Sequence, residues 1–372
     1  MILDSIKRFC KSQPVLLTAF IAAVLTIIFI PPDKEYFNYC NRTVLIQLFC
    51  LMAAVSGFRS IGIFEKVTEL MLNKVGNLRR LGIIFTLICF FSSMLVTNDV
   101  VLITFVPLTL IVYNNINDEK SRIMTIVLET AGANLGSMLT PFGNPQNLFI
   151  YDNYHLSVCD FLKTMLPSGI ISLLMLLLLN LTIPRTPCKT FTKEKSCIDK
   201  KKSIIYLALF IMCLLTVFRV IPDLWCLAIT IIVLLILDIR LFSRIDYGLL
   251  ATFVCFFVFV GNIARMESVR EFFSELLEGR EVIVSVLLSQ VISNVPAAVM
   301  LSGFTENGTQ LLLGVNLGGL GTVIASLASL ISFQFYRKSE NAQSVRYMFI
   351  FSAVNFGLLA VLMLFTLIGI YN

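Results

Sequence analysis

The chain has 372 residues, of which 57% are apolar and only 14% are charged, whereas a soluble domain carries roughly 25% charged residues. Its mean hydropathy of +0.88 excludes a soluble fold of this length, because the excess apolar surface must face lipid. The net charge of +6 comes without a basic face of interleaved aromatic side chains, so we expect no nucleic-acid partner.

The reactive side chains form no enzyme signature. The ten cysteines are scattered singly, without a C-x-x-C pair, and are expected to be small apolar filler. The one histidine, His155, offers little acid–base chemistry or metal binding. The sequence lacks H-E-x-x-H, G-x-S-x-G and Walker A motifs, so it predicts neither an enzyme nor an ATP-driven pump, and no cofactor.

Nine apolar segments are predicted to cross a bilayer, with some extension beyond the apolar limits. The first follows three basic residues in the manner of a signal peptide, but no A-x-A pattern comes after it, so we interpret it as a span. The predicted spans are residues 14–30, 43–58, 123–150, 164–184, 204–221, 224–238, 247–262, 310–336 and 347–371.

Two further apolar segments, 81–114 and 281–302, are polar near their middles. The first is interrupted by Thr97-Asn98-Asp99 and the second by Ser293-Asn294-Val295-Pro296. Irregular backbone at membrane depth is tolerated only where protein buries it or where it lines a cavity. Both segments are therefore predicted to be re-entrant hairpins that enter and leave the membrane on the same side.

The basic residues predict the orientation. With the N-terminus in the cytoplasm, most of the 29 lysine and arginine residues fall on the cytoplasmic side, as the positive-inside rule requires. This topology gives a cytoplasmic first hairpin, an external second hairpin and an external C-terminus. The expected location is the plasma (inner) membrane, crossed several times.

An internal repeat relates the two halves of the chain. Residues 132–140 (GANLGSMLT) and 314–322 (GVNLGGLGT) match at five positions with identical spacing, and in each half this element follows a hairpin. Because the topology puts the halves in opposite orientations, the predicted fold is an all-α polytopic membrane protein of two inverted repeats. The predicted domains are a first repeat at 1–184, a Lys-rich cytoplasmic linker at 185–203, and a second repeat with one extra span at 204–372.

The repeated element has two interpretations. Its glycines form small-xxx-small pairs, which are typical of helix packing. Its asparagines, Asn134 and Asn316, join those of the two tips, and an unpaired amide in lipid is costly. They favour a paired binding site, because half-helix N-termini attract anions and freed carbonyls attract Na⁺.

The break is more severe in the first copy. Thr140 is followed by Pro141, Gly143 and Pro145, which remove helical hydrogen bonds and predict an unwound segment. Gln146 and its neighbouring asparagines can satisfy the freed backbone groups or contact a ligand. Residues 323–329, in the second copy, contain no proline, so the two half-sites are predicted to be unequal.

Two acids stand out, Asp99 at the first tip and Glu129 before Asn134. A charged carboxylate at this depth either binds a coupling cation or proton or, for Asp99, caps the outgoing helix; Glu129 has the further alternative of a place near the cytoplasmic interface. No lysine or arginine lies in the central segments. The charge of an anion would therefore be met by helix dipoles and co-bound cations, which favours coupling to Na⁺ or H⁺.

The two tips and the run from Gly132 to Asn147 (GANLGSMLTPFGNPQN) resemble the citrate transporter-like permeases of the ion transporter superfamily, whose relatives include divalent anion–sodium symporters and arsenite permeases. The resemblance implies an elevator-type carrier, and its relatives are often dimers, so a homodimer is one state that it allows. It implies Na⁺ near Asn98, Gly143 and Asn294. The third tip residue departs from the symporter pattern, because Asp99 and Val295 replace threonine. Together the residues and the resemblance give these candidate substrate- and cation-binding residues: Thr97, Asn98, Asp99, Asn134, Thr140, Gly143, Asn144, Pro145, Asn147, Ser293, Asn294, Asn316 and Thr322.

The predicted function is secondary active transport of a small anion, such as citrate, a dicarboxylate or an inorganic anion, coupled to Na⁺ or H⁺. The alternative is an arsenite efflux permease or a Na⁺/H⁺ antiporter. A passive channel is a third hypothesis, and saturable transport that needs a cation gradient would exclude it. The sequence leaves the substrate, the coupling ion and the direction of transport open.

Overall fold

The computed structural model describes residues 14–64, 66, 76–113, 116, 118–187 and 199–368. Within these ranges the chain is helical, apart from one isolated β-bridge between Asn77 and Pro187. Most of the Lys-rich linker and the end of the last predicted span lie outside the described residues.

Apart from the short helix α2, the helices of the first half follow the predicted apolar segments. They are α1 (Pro14–Phe29), α2 (Tyr36–Tyr39), α3 (Arg42–Ser60), α4 (Leu78–Ser93), α5 (Asn98–Tyr113), α6 (Glu119–Ser137), α7 (Pro145–Asn153) and α8 (Val158–Asn180).

The described residues of the second half, 199–368, add nine helices and two short 3₁₀ segments, Ile239–Arg244 and Val323–Ala325. The helices are α9 (Lys200–Val217), α10 (Asp223–Leu237), α11 (Tyr247–Ala264), α12 (Glu267–Leu277), α13 (Glu281–Ile292), α14 (Asn294–Ser302), α15 (Gly308–Leu317), α16 (Leu327–Arg337) and α17 (Ser344–Leu367).

Four helices in the described part of the chain, α3, α8, α11 and α17, are long and apolar enough to cross a bilayer on their own. The apolar helices α1, α5, α10 and α13 are shorter. The outer helices expose large apolar side chains, such as Ile28 of α1, Ile236 of α10 and Phe349 of α17, as lipid-facing helices do. The all-helical polytopic fold is confirmed, whereas the count of nine full crossings stays a prediction.

Helices α13 and α14 form a hairpin. Helix α14 has nine residues and is about 14 Å long at 1.5 Å per residue, roughly half the hydrocarbon thickness. The chain returns to its starting point, because Thr305, after α14, donates a hydrogen bond to Glu281, the first residue of α13, at 3.3 Å.

Helices α4 and α5 form the corresponding hairpin of the first half. The hydroxyl groups of Tyr113, at the end of α5, and Thr125 of α6 are 2.8 Å apart. A Cβ atom placed at Gly82, near the start of α4, would lie 3.5 Å from the same Thr125 hydroxyl. Both ends of the first hairpin therefore meet at one position on α6.

The interrupted helices form the buried centre of the molecule. Nearly every residue of α6 from Ser121 onwards is buried, as is α7 from Pro145 to Tyr151. The repeated glycines lie against the first arm of each hairpin: a Cβ atom at Gly136 would lie 2.0 Å from the Phe90 carbonyl, and one at Gly318 would lie 2.6 Å from the Ser289 hydroxyl. The close approach of α6 to α4, and of α15 to α13, thus depends on these glycines.

Candidate functional site

Each hairpin tip is bound to the break of the interrupted helix in its own half. The Asn98 backbone N–H donates to the Gly143 carbonyl at 3.3 Å, and the Thr140 hydroxyl donates to the Met94 carbonyl at 2.7 Å. In the second half, the Thr322 hydroxyl donates to the Gln290 carbonyl at 3.2 Å. Thr140 and Thr322 are equivalent in the repeat, so matching hydrogen bonds join the hairpin to the break in each half.

The second tip is also bound to its break and is strained. The Ser293 hydroxyl donates to the Ala325 carbonyl at 3.3 Å, and Ala325 is the repeat equivalent of Gly143. Ser293 has φ of 76° and ψ of 155°, a conformation that costs a non-glycine residue of order 1–3 kcal/mol. The hairpin therefore holds its tip in a conformation that the chain does not prefer locally.

The repeated asparagines cross between the halves. Asn134, in the first copy, accepts hydrogen bonds from Asn98 at 3.0 Å and from Ser326 at 3.1 Å, and it donates to Ser329 at 3.1 Å. Ser326 and Ser329 belong to the second half. One asparagine therefore joins the first hairpin tip to the start of α16.

Asn316 makes the reciprocal contacts. It accepts a hydrogen bond from Asn144 at 3.2 Å and donates one to Asn147 at 2.6 Å. Asn144 and Asn147 are separated from Asn134 by the same numbers of residues as Ser326 and Ser329 are from Asn316. The two copies thus exchange equivalent contacts, as a pseudo-two-fold relation between the halves requires.

The freed carbonyl groups of the first break are satisfied by Asn147. Its side-chain amide donates to the carbonyls of Ser137, Met138 and Thr140 at 3.2, 3.3 and 3.0 Å. Asn144 caps α7 by accepting from the Asn147 backbone amide at 2.9 Å. Pro145 is the first residue of α7, where the missing N–H is no loss.

The freed backbone groups of the second break are instead hydrogen-bonded by a side chain of the hairpin arm α13. The Gln290 side chain donates to the carbonyls of Gly318 and Leu320 at 2.9 and 3.0 Å and accepts from the Thr322 amide at 2.9 Å. The half-sites are therefore built differently, and Gln290 is a residue that the sequence analysis missed.

Two neighbouring cavities lie at the N-termini of α5, α7, α14 and α16. The first, of about 130 Å³, is lined by Thr97 and Asp99 of the first tip and by Asn144 and Pro145 of the break. The second, of about 210 Å³, is lined by Val295 and Pro296 at the second tip and by Leu327 at the start of α16. Each cavity thus faces two helix N-termini, where the positive end of the helix dipole attracts anions.

Two carboxylates, those of Asp99 and Asp246, line both cavities. Asp99 is half-buried in the first turn of α5, but it is not the helix cap: the Asp99 backbone amide is bound by the Asn98 side chain at 3.0 Å. Asp246 caps α11 by accepting from the Leu249 amide at 2.9 Å. Asp99 is therefore placed where it can meet a solute, and Asp246 is a second acid that the sequence analysis missed.

Glu129 lies apart from the cavities. It is fully buried in α6 and accepts a hydrogen bond from Thr109, while its second carboxylate oxygen has no partner among the described residues. The structure therefore places Glu129 inside the protein and not at an exposed interface.

The candidate residues from the sequence fall into two groups. Some bond to one another, and others join the hairpin tips to the breaks of the interrupted helices. Asn98 is bonded to Asn134, and Asn144, Asn147 and Asn316 are bonded to one another. Ser137 joins the two groups, because its hydroxyl accepts from Asn144 and donates to the Asn134 carbonyl. Thr140, Gly143, Ser293 and Thr322 join tips to breaks. The Asn294 side chain accepts from the Val295 amide at 2.9 Å, so it stabilises the start of α14.

Ser326, Ser329, Arg59 and Arg244 were also missed by the sequence analysis. The first two could have been found by extending the repeat beyond Thr322, since they are the equivalents of Asn144 and Asn147. The two arginines line the first cavity but lie far from the repeats in sequence, and no local pattern singles them out.

Comparison with known proteins agrees with this architecture. Residues 9–307 match the family described as citrate transporter, CitMHS. The chain is 34% identical to the uncharacterized transporter MJ0456 of Methanocaldococcus jannaschii, over 84% of this chain and 86% of that protein. It is 31% identical to the inner membrane protein YbiR of Escherichia coli, over 78% of each chain.

A partial match extends to a plant transporter. The silicon efflux transporter LSI3 of Oryza sativa subsp. japonica is 34% identical over 43% of this chain and 33% of that protein. The family match covers most of the chain, and the two longer alignments cover three quarters or more of both partners. The protein is therefore a multi-pass membrane transporter, not an enzyme, and belongs to the citrate transporter family.

Proposed function

We propose that the protein is a secondary active transporter that moves a small anion across the plasma membrane, coupled to Na⁺ or H⁺, by an elevator mechanism. The anion is a carboxylate, such as citrate or a dicarboxylate, or an inorganic anion. One observation carries the proposal: the N-termini of α5, α7, α14 and α16 meet at two adjoining cavities. Four helix dipoles that present their positive ends to these cavities favour negative charge.

The coupling cation follows from the acids beside these helix ends. The carboxylates of Asp99 and Asp246 also line the cavities, and an anion binds beside them only if their charge is compensated. A proton or Na⁺ bound with the substrate compensates it, and neutral oxygens such as those of Thr97 and Asn144 suit Na⁺. The substrate and the cation would therefore bind together.

An efflux permease for arsenite, or a Na⁺/H⁺ antiporter, is the alternative. The aspartate at the first tip and the partial match to a silicon efflux transporter favour it. Arsenous acid is mostly uncharged at neutral pH and gains little from helix dipoles. The convergence of four helix N-termini favours the anion.

The test is uptake by purified protein in proteoliposomes. Radiolabelled citrate, succinate, phosphate and arsenite are offered in turn, with a Na⁺ gradient and a pH gradient imposed separately. We expect saturable uptake of one of the three anions that needs one of the two gradients. Transport of arsenite alone would support the alternative, and gradient-independent flux that does not saturate would indicate a channel.

A further inference from the structure

The first cavity carries positive charge that the central segments lack. Arg59 and Arg244 line it together with Thr97 and Asn144. The second cavity has the acids Asp99 and Asp246, and no lysine or arginine of the described ranges lines it. The two cavities therefore differ in charge, although they share both acids.

The two arginines lie at the outer end of the first cavity. The face of α3 that lines it runs from Leu48 through Met52 and Ser56 to Arg59, the three- and four-residue spacing of one helical face. This face is about 16 Å long at 1.5 Å per residue. Arg59 is exposed in the last turn of α3, and Arg244 is exposed at the end of the 3₁₀ segment Ile239–Arg244.

Both guanidinium groups are free to bind a solute. Within the described part of the chain, neither Arg59 nor Arg244 makes a side-chain hydrogen bond or a salt bridge. By contrast, Arg265 pairs with Asp33 at 2.8 Å and Arg122 pairs with Glu119 at 2.7 Å. A guanidinium presents a planar set of donors that matches carboxylate and other oxyanions in pairs.

We propose that Arg59 and Arg244 form a recognition site for the negative charge of the substrate at the mouth of the first cavity. Resting on the proposed function, this inference specifies the substrate class: a carboxylate or other oxyanion that is charged when it binds. The anion meets the two guanidinium groups first and then the helix N-termini at Thr97 and Asn144. The cation binds in the second cavity, where the charged side chains among the described lining residues are the carboxylates of Asp99 and Asp246.

Helix-end arginines also have an ordinary role, because basic residues near helix ends set membrane orientation and complement the helix dipole. Arg240 separates the two roles. It is exposed in the same 3₁₀ segment as Arg244, but it does not line the cavity. Arg240→Gln is therefore the matched control, since it removes the same charge from the same segment.

The experiment compares Arg59→Gln, Arg244→Gln, the double variant and Arg240→Gln in the proteoliposome assay, with citrate, succinate and phosphate as probes. Each cavity variant is expected to raise KM for the transported anion about tenfold, as loss of a charge-assisted hydrogen bond does, with kcat changing less. The double variant should raise KM further. Arg240→Gln should keep the wild-type KM, and Arg59→Lys and Arg244→Lys should recover part of the loss.

Size-exclusion profiles of the purified variants show whether each is folded, and the lysine variants carry the test if a glutamine variant is not. KM values equal to those of Arg240→Gln would overturn the recognition site while the anion-transport function stands. If the wild-type protein moves none of the three anions, the proposed function itself fails. If it moves arsenite alone, with KM unchanged in Arg59→Gln and Arg244→Gln, the inference also fails.

Discussion

At the scale of single residues, the site is a set of amides and hydroxyls that satisfy broken helices. Asn147 binds three freed carbonyls of the first break, and Gln290 binds two in the second. Asp99 is different, because its side chain makes no hydrogen bond with the described residues, and its backbone amide is bound by Asn98. Substitution of a residue that satisfies a broken helix should therefore lower stability, whereas substitution of Asp99 should change transport.

Asn147→Ala is expected to destabilise the protein by about 2 kcal/mol or more, because buried carbonyl groups lose their side-chain donor and Asn316 loses one of its hydrogen bonds. The fully buried side chain leaves no route for water to replace it. The measurement is a thermal or denaturant unfolding curve of the purified protein in detergent. Asn153→Ala is the control, since Asn153 ends the same helix but is exposed; equal loss in both variants would refute this role of Asn147.

Asp99→Asn is expected to abolish the dependence of uptake on the imposed Na⁺ or pH gradient, while the variant still folds. The neutral amide keeps the size of the side chain but cannot bind a proton or attract a cation. Asp160→Asn serves as the control, because Asp160 is exposed at the start of α8. Unchanged coupling in Asp99→Asn would assign coupling to another group.

At the scale of elements, the arms of the hairpins lie against the interrupted helices with no space for a side chain. Gly136→Ala should destabilise the packing of α6 on α4, because its Cβ atom would lie 2.0 Å from the Phe90 carbonyl, a backbone atom. We expect a loss of roughly 1–3 kcal/mol, as in other overpacked sites. Gly357→Ala in α17 is the control, since nothing lies within 4 Å of its Cβ position, and it should be neutral or stabilising.

The same elements show how far the sequence predicts the structure. The first break is predictable because Pro141 and Pro145 lack the N–H that a helix interior needs and Gly143 disfavours helix, and α6 does end at Ser137. The second break has no proline, and the signal there is the repeat itself. The closure of this break by Gln290 is not predictable, because it depends on the register between α13 and the break, which no local pattern encodes.

The sequence predicts many residues of the candidate site, but it does not predict which residues they bond to or which others line the cavities. The asparagines were identified because amides are costly in lipid. Their exchange between halves, and the arrival of Arg59, Arg244 and Asp246 at the cavities, depend on how α3 and the start of α11 pack against the first tip. Such packing is a tertiary property and lies outside periodicity and motif.

At the scale of the whole molecule, the proposed anion site requires two hairpins that approach the centre from opposite faces of the membrane. The reciprocal contacts of Asn134 and Asn316 are what a pseudo-two-fold relation between the two halves produces. That arrangement brings the four helix N-termini together, which the proposed anion site requires.

The most direct test is the sidedness of the hairpin ends. Single cysteines at Gly76 and Asp118 flank the first hairpin, and single cysteines at Gly279 and Glu306 flank the second, in a background without the ten native cysteines. An impermeant maleimide is applied to cells and to inverted vesicles. The account predicts that Gly76 and Asp118 label from the cytoplasmic face and that Gly279 and Glu306 label from the external face. Labelling of the two ends of either hairpin from opposite faces would contradict it.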